Sequence, residues 1–111
     1  MNILISDKMV QMAFDWLKDN AGKAAQAKAA RIRAEHGVKK AKAHAFLAAE
    51  GTVAEREAKA IASDDYDEAA DAECQAIEQD EFYRNQKDKA IAIIEAWRSE
   101  QANLRALGKV G

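Results

Sequence analysis

The chain has 111 residues, no proline, one cysteine, and 17 basic against 19 acidic side chains for a formal net charge of −2. That length allows one ordinary domain, and Cys74 alone excludes an intramolecular disulfide and argues against a cysteine-based metal site. No run approaches the roughly 20 consecutive apolar residues that span a bilayer.

With no proline to remove an amide donor, nothing forces a helix to stop or kink. Alanine is abundant, and Glu, Lys, Gln and Arg fill much of the rest, all residues that lose little side-chain entropy in a helix. The expected fold class is all-α: a long helical hairpin of coiled-coil-like helices in a single helical domain over residues 1–111, assembled into an oligomer. The opening Met1-Asn2-Ile3-Leu4-Ile5 is apolar but far shorter than a signal sequence's hydrophobic region, and no base precedes it. A soluble, cytoplasmic protein is expected.

Ser6 before Asp7 reads as an N-cap with an acid in the first turn. Met9, Ala13, Trp16 and Leu17 follow at three-to-four spacing, so residues 7–19 form an amphipathic helix. Asn20-Ala21-Gly22 either ends that helix or loosens it. A basic helix then covers 23–49, interrupted only by His36-Gly37, and is either separate from the first or continuous with it. Gly51-Thr52 is the clearest break, because glycine suits a left-handed C-cap. Thr52-Val53-Ala54-Glu55 fits a capping box, in which Thr and Glu satisfy each other's free amides, so a short helix is expected over 53–62. Ser63 followed by Asp64 and Asp65 starts a long acidic helix over 64–107. The tail Gly108-Lys109-Val110-Gly111 is expected to fray.

In the long helix Tyr83, Ala90, Ile94, Trp97 and Leu104 form one stripe, continued upstream by Tyr66, Ala70 and Ile77. Asp80, Glu81, Arg84 and Lys87 make its middle polar. The candidate core is thin. At roughly 25 cal/mol per Å² of apolar area, an alanine seam contributes far less than a leucine seam of the same length. A lone hairpin of this kind is marginal beside the usual 5–15 kcal/mol, so self-association is expected, with Tyr83, Ile94, Trp97 and Leu104 as the subunit contacts. Trp16, Trp97, Tyr66 and Tyr83 all lie at apolar spacing and are expected in core or subunit contact. Phe46 either packs or flanks a nucleic-acid groove. Cys74, set among acids that raise a thiol's pKa, is expected as a small buried residue.

Charge is sorted along the chain. Between residues 21 and 49, Lys23, Lys28, Arg31, Arg33, Lys39, Lys40 and Lys42 face Glu35 alone. Residues 64–81 carry nine acids and no base. Lys28, Arg31, Lys39 and Lys42 fall near one helical face, with Arg33 and Lys40 elsewhere. Such repeated cations suit a phosphate backbone, because neutralisation releases counterions, and His36 and His44 add donors when protonated. The competing reading pairs these bases with the chain's own acids, in contacts worth about 0–1 kcal/mol each. Catalysis finds little support. Asp64, Asp65, Asp67, Glu68 and Asp71 are what a helix start prefers, the two histidines are eight residues apart, and no phosphate loop or nucleophile motif occurs. A non-enzymatic protein without cofactor or metal is expected.

One resemblance bears on function. Lys42-Ala43-His44, the Gly51 break, the run Glu55-Arg56-Glu57-Ala58-Lys59-Ala60-Ile61-Ala62-Ser63-Asp64, and Ala96-Trp97-Arg98-Ser99-Glu100-Gln101 through Arg105-Ala106 resemble the layout of phage recombination mediators of the UvsY type. The likeness covers roughly residues 23–108. It implies a helical oligomeric ring that binds single-stranded DNA and helps load a recombinase onto DNA coated by single-strand-binding protein, in the bacterial host's cytoplasm. It implies Lys42 and His44, with Lys39 and Lys40, as strand contacts. His44 stands where the family favours a second strong base, a departure that bears on binding at neutral pH.

The leading expectation is thus an oligomeric phage-type accessory protein that binds single-stranded DNA through Lys28, Arg31, Lys39, Lys40, Lys42 and His44. The alternative is a small acidic protein–protein inhibitor or adaptor, such as a phage anti-defence protein, in which residues 64–81 mimic a nucleic-acid backbone. A purely structural coiled-coil subunit is a third possibility.

Overall fold

The structure is a computed structural model that describes residues 4–110; Met1, Asn2 and Ile3 of the apolar N-terminal run, and Gly111, lie outside the described residues. The described residues form three helices and no strand, as expected for an all-α chain: α1 (Asp7–Ala48), α2 (Val53–Ile61) and α3 (Asp64–Val110). None of these helices is long and apolar enough to cross a membrane.

Each helix start carries its cap. The amide of Met9 donates to Ser6 Oγ at 3.1 Å, that of Glu55 to Thr52 Oγ1 at 3.2 Å, and that of Tyr66 to Ser63 Oγ at 3.2 Å. These hydroxyls satisfy amides that have no partner inside the helix. Of the capping box expected at Thr52, only the threonine half forms. The Glu55 side chain instead lies against Gly51.

α1 passes through Asn20-Ala21-Gly22 and through Gly37 without a break, so residues 7–48 are one helix. Asn20 is accommodated because its amide nitrogen donates back to the Trp16 carbonyl at 2.9 Å, a bond made within the helical turn rather than against it. α3 likewise runs past Gly108, where the sequence reading has a frayed tail. A helical glycine costs about 1 kcal/mol relative to alanine, which a long helix tolerates.

The chain divides into two compact units, one gathering Met1–Ala24 and Tyr83–Gly111, the other Ala25–Phe82. In the first, the start of α1 lies antiparallel to the end of α3. The Ile5 amide donates to the Glu100 carboxylate at 2.9 and 3.1 Å, Trp97 Nε1 donates to Asp7 Oδ1 at 3.4 Å, and the Trp16 and Tyr83 rings sit 6.3 Å apart, tilted by 39°. The core between them is Ala13, Ala90 and Ile94, edged by half-buried Trp16, Leu17 and Ile93. Alanine allows close helix approach at the cost of little buried apolar area.

In the second unit α1 leaves, α2 turns the chain, and α3 returns. Arg31 meets Asp80, and the stretches from there to the end of α1 and the start of α3 are nearly equal in length, so the two helices here are also antiparallel. Ala60 of α2 is fully buried. The last turn of α1 contains no base, and α2 supplies what it lacks. Arg56 Nε donates to the Phe46 carbonyl at 3.2 Å, and Lys59 Nζ donates to the Glu50 carbonyl at 2.8 Å. Cations at this position satisfy orphan carbonyls and oppose the negative end of the helix dipole. The Arg56 guanidinium also covers the Phe46 ring, 4.2 Å from its centre, which resolves Phe46 as a packed residue.

The turn between α1 and α2 depends on Gly51, whose φ of +119° is open only to glycine among common residues. A methyl group there would also press on Glu55, 3.2 Å from its Cβ. Gly51→Ala is expected to destabilise the fold by about 1–3 kcal/mol. Gly22→Ala and Gly37→Ala, where an added methyl meets nothing within 4 Å, should each stabilise it by about 0.5–1 kcal/mol. Urea unfolding of the three variants measures both signs.

Candidate nucleic-acid interface

The basic stretch of α1 can serve a polyanion only where its cations are neither buried nor already matched. Lys23, Lys28, Arg33, Lys39, Lys40 and Lys42 are all exposed, as are His36 and His44. Helical spacing sorts those beyond Lys23 into two rows. Lys28, Lys39 and Lys42 share a side of α1 with Arg31 and Glu35. Arg33, His36, Lys40 and His44 lie on the opposite, outward side.

Arg31 is the exception. Its Nη1 donates to Asp80 Oδ2 and to Glu81 Oε1, both at 3.1 Å, and its Nε lies 3.5 Å from Glu35 Oε1 one turn away. Asp80 is the buried charged residue of this unit, with a side chain 6% exposed. A buried carboxylate needs a paired cation or donor to offset its lost hydration, and Arg31 is that partner. Hydrogen bonding to Asp80, and then to Glu81, raises the guanidinium's pKa above its ordinary value. A raised pKa keeps its stabilising effect below the ordinary arginine range and loses it only above. Arg31 is therefore charged at any pH used in solution work.

The other cations of α1 form no ion pair within 4 Å among the described residues, whereas Arg31 meets Glu35, Asp80 and Glu81. The acid-rich start of α3 is similarly unmatched. Asp64, Asp67, Asp71 and Glu78 are exposed along one outward side. Thus the reading in which basic and acidic segments neutralise each other holds at one residue only. Among the described residues, no group of three or more His, Cys, Asp or Glu side chains is placed to hold a metal ion.

The tryptophans, the tyrosines and Phe46 are half-buried, whereas Phe14 and Phe82 are exposed, at 44% and 48%. Trp16 and Tyr83 stack on each other, Trp97 is tied to Asp7, and Tyr66 sits in the inward row of α3. Of the proposed subunit contacts, Ile94 is spent in its own unit's core, Tyr83 and Trp97 are half-buried, and Leu104 remains 58% exposed. Cys74 is exposed, contrary to its expected burial. The inward row of α3 passes through Glu73, Ala76 and Ile77, which leaves Cys74 on the solvent side. No family model, curated protein or solved structure matches this chain.

Three features were not read from the sequence: the pairing of Arg31 with Asp80, the cover that Arg56 and Lys59 give α1, and an open groove beside Met9 and Met12. The second had a local signal. Two bases three residues apart on α2 follow closely on a helix whose last turn has none.

Arg31→Met should lower the thermal midpoint more than Lys28→Met or Lys39→Met, because only the first strands a buried carboxylate. The double variant Arg31→Met/Asp80→Leu should recover most of that loss. Melting curves followed by circular dichroism measure the difference.

Proposed function

We propose that this protein is a self-associating helical accessory protein that binds single-stranded DNA through the lysine rows of α1 and assists recombination or replication. The observation that carries the reading is the state of Lys28, Lys39, Lys40 and Lys42. All four are exposed and lack an acidic partner, although the acid-rich part of α3 belongs to the same unit. Cations left in this condition gain by meeting phosphates, since each neutralised phosphate releases a condensed counterion.

Arg31 is left out of the binding set, because its guanidinium is held by Asp80. His44 lies on the outward side with Lys40. The tryptophan and tyrosine rings are half-buried within each unit while Phe14 and Phe82 stay exposed, and the binding proposed is chiefly to the backbone, largely indifferent to sequence. The choice of a single strand, and of a recombinase or single-strand-binding protein as partner in a phage-infected bacterial cytoplasm, rests on the resemblance of residues 23–108 to UvsY-type mediators.

A second reading has its own observation. Asp64, Asp67, Asp71 and Glu78 form an unpaired outward acidic row, which suits an inhibitor or adaptor that occupies a partner's basic channel.

Affinity for a labelled oligothymidylate should fall with salt at a log–log slope of about −0.7 per phosphate neutralised. Replacing Lys39, Lys40 and Lys42 by Glu should abolish binding, and replacing Asp64, Asp67 and Asp71 by Asn should preserve it. No binding at low salt, or binding without a salt slope, sinks the DNA reading. Loss of a partner-directed activity on the Asn changes alone favours the acidic one.

A further inference from the structure

The first unit leaves an open groove of about 330 Å³ between α1 and α3, lined by Met9, Met12, Ala13, Trp16, Ala90 and Ile93 among others. Met12 is 61% exposed and Met9 39% exposed. The buried cluster in this unit is Ala13, Ala90 and Ile94, with Val10 also buried. The end of α3 cannot fold back into the groove, because α3 is one helix through Val110.

Beside the groove runs a row at four-three-four spacing, Lys8, Met12, Asp15 and Asp19, all exposed. Asp15 accepts a hydrogen bond from Gln11 Nε2 at 3.0 Å. Lys8 and Asp19, at the two ends of the row, have no such partner and carry opposite charge. Turning a second copy through a two-fold axis between them sets Lys8 of each copy against Asp19 of the other. Contacts in which residue i meets j, and j meets i, are the signature of an isologous interface. The eight residues lining the groove are fewer than the roughly 20–30 a side of a stable contact, so the charged row extends the contact along α1.

We infer that this groove and its charged border are the surface on which two copies of the chain associate, antiparallel, with Met12 of each copy beside the two-fold axis, next to Asp15 of the other. The inference rests on the self-association included in the proposed function, and it locates that contact on the N-terminal part of α1 rather than along α3. The flexible, polarisable methionine side chains suit a surface that must fill an irregular cleft. Opposite charges at the ends fix the register and disfavour a parallel docking.

The test is the solution mass of the full chain, measured by light scattering at moderate salt without nucleic acid. The wild type is expected at twice the 12.2-kDa chain mass or a higher even multiple. Met12→Asp should reduce the mass while leaving the helical circular dichroism unchanged. Should that variant fail to fold, the exposed-site variants Lys8→Glu and Asp19→Lys decide. Each alone should weaken association about tenfold or more, and the two together should restore it to within a few-fold. A monomeric wild type at every concentration, a folded Met12→Asp variant of unchanged mass, or a double exchange that restores nothing overturns the inference. Because no nucleic acid is present, these outcomes are independent of DNA binding. A chain that assembles as described but ignores oligothymidylate refutes the DNA reading alone.

Discussion

Alanine at the helix contacts is the constraint on which the rest of this structure depends. Where α1 and α3 meet in the first unit, Ala13 and Ala90 occupy positions that larger side chains fill in most helical cores. In the second unit the buried apolar residues are Ala27 and Ala60. Small side chains bring backbones together but remove little apolar surface from water. The remaining cohesion comes from polar contacts at defined points: Glu100 on the Ile5 amide, Asp7 on the Trp97 ring nitrogen, and Arg31 on Asp80. Directional bonds of this kind set register, whereas an alanine seam by itself would tolerate sliding.

The same constraint shapes the surface. Large apolar residues that a thicker core would absorb remain accessible, Met12 and Leu104 among them. Each exposed apolar residue is ordinary taken singly. Met9 and Met12, at an unfilled groove, are what the proposed second copy would bury. A chain with little internal cohesion thus gains most from association.

Charge follows a parallel logic. One buried carboxylate, Asp80, takes up one arginine, and the flexible lysines of α1 are left in solvent, where pairing with α3 would gain little against the entropy of holding them. The basic and acidic rows therefore stay available to outside partners. α2 has a different part: Arg56 and Lys59 close the carbonyl end of α1, so the reversal of the chain is held by charge as well as by the Gly51 turn.

Helix content, the start sites at Ser6, Thr52 and Ser63, and the turn at Gly51 were legible because they depend on near-neighbour chemistry: capping hydroxyls, a positive φ, and the absence of proline. The thinness of the core was also legible, since alanine at the inward positions sets it whatever the packing. The continuity of α1 through Asn20-Ala21-Gly22 was open in the sequence, because a bond from Asn20 back to Trp16 and a helix end there use the same residues. Which cation is spent internally could be decided only by tertiary structure. Arg31 and Lys28 look alike along the chain, and they differ because Asp80, 49 residues beyond Arg31, is buried beside one of them. Cys74 and Ile94 likewise took their places from the rotation of α3 against α1, a choice made by whole faces in contact and not by any local run of residues.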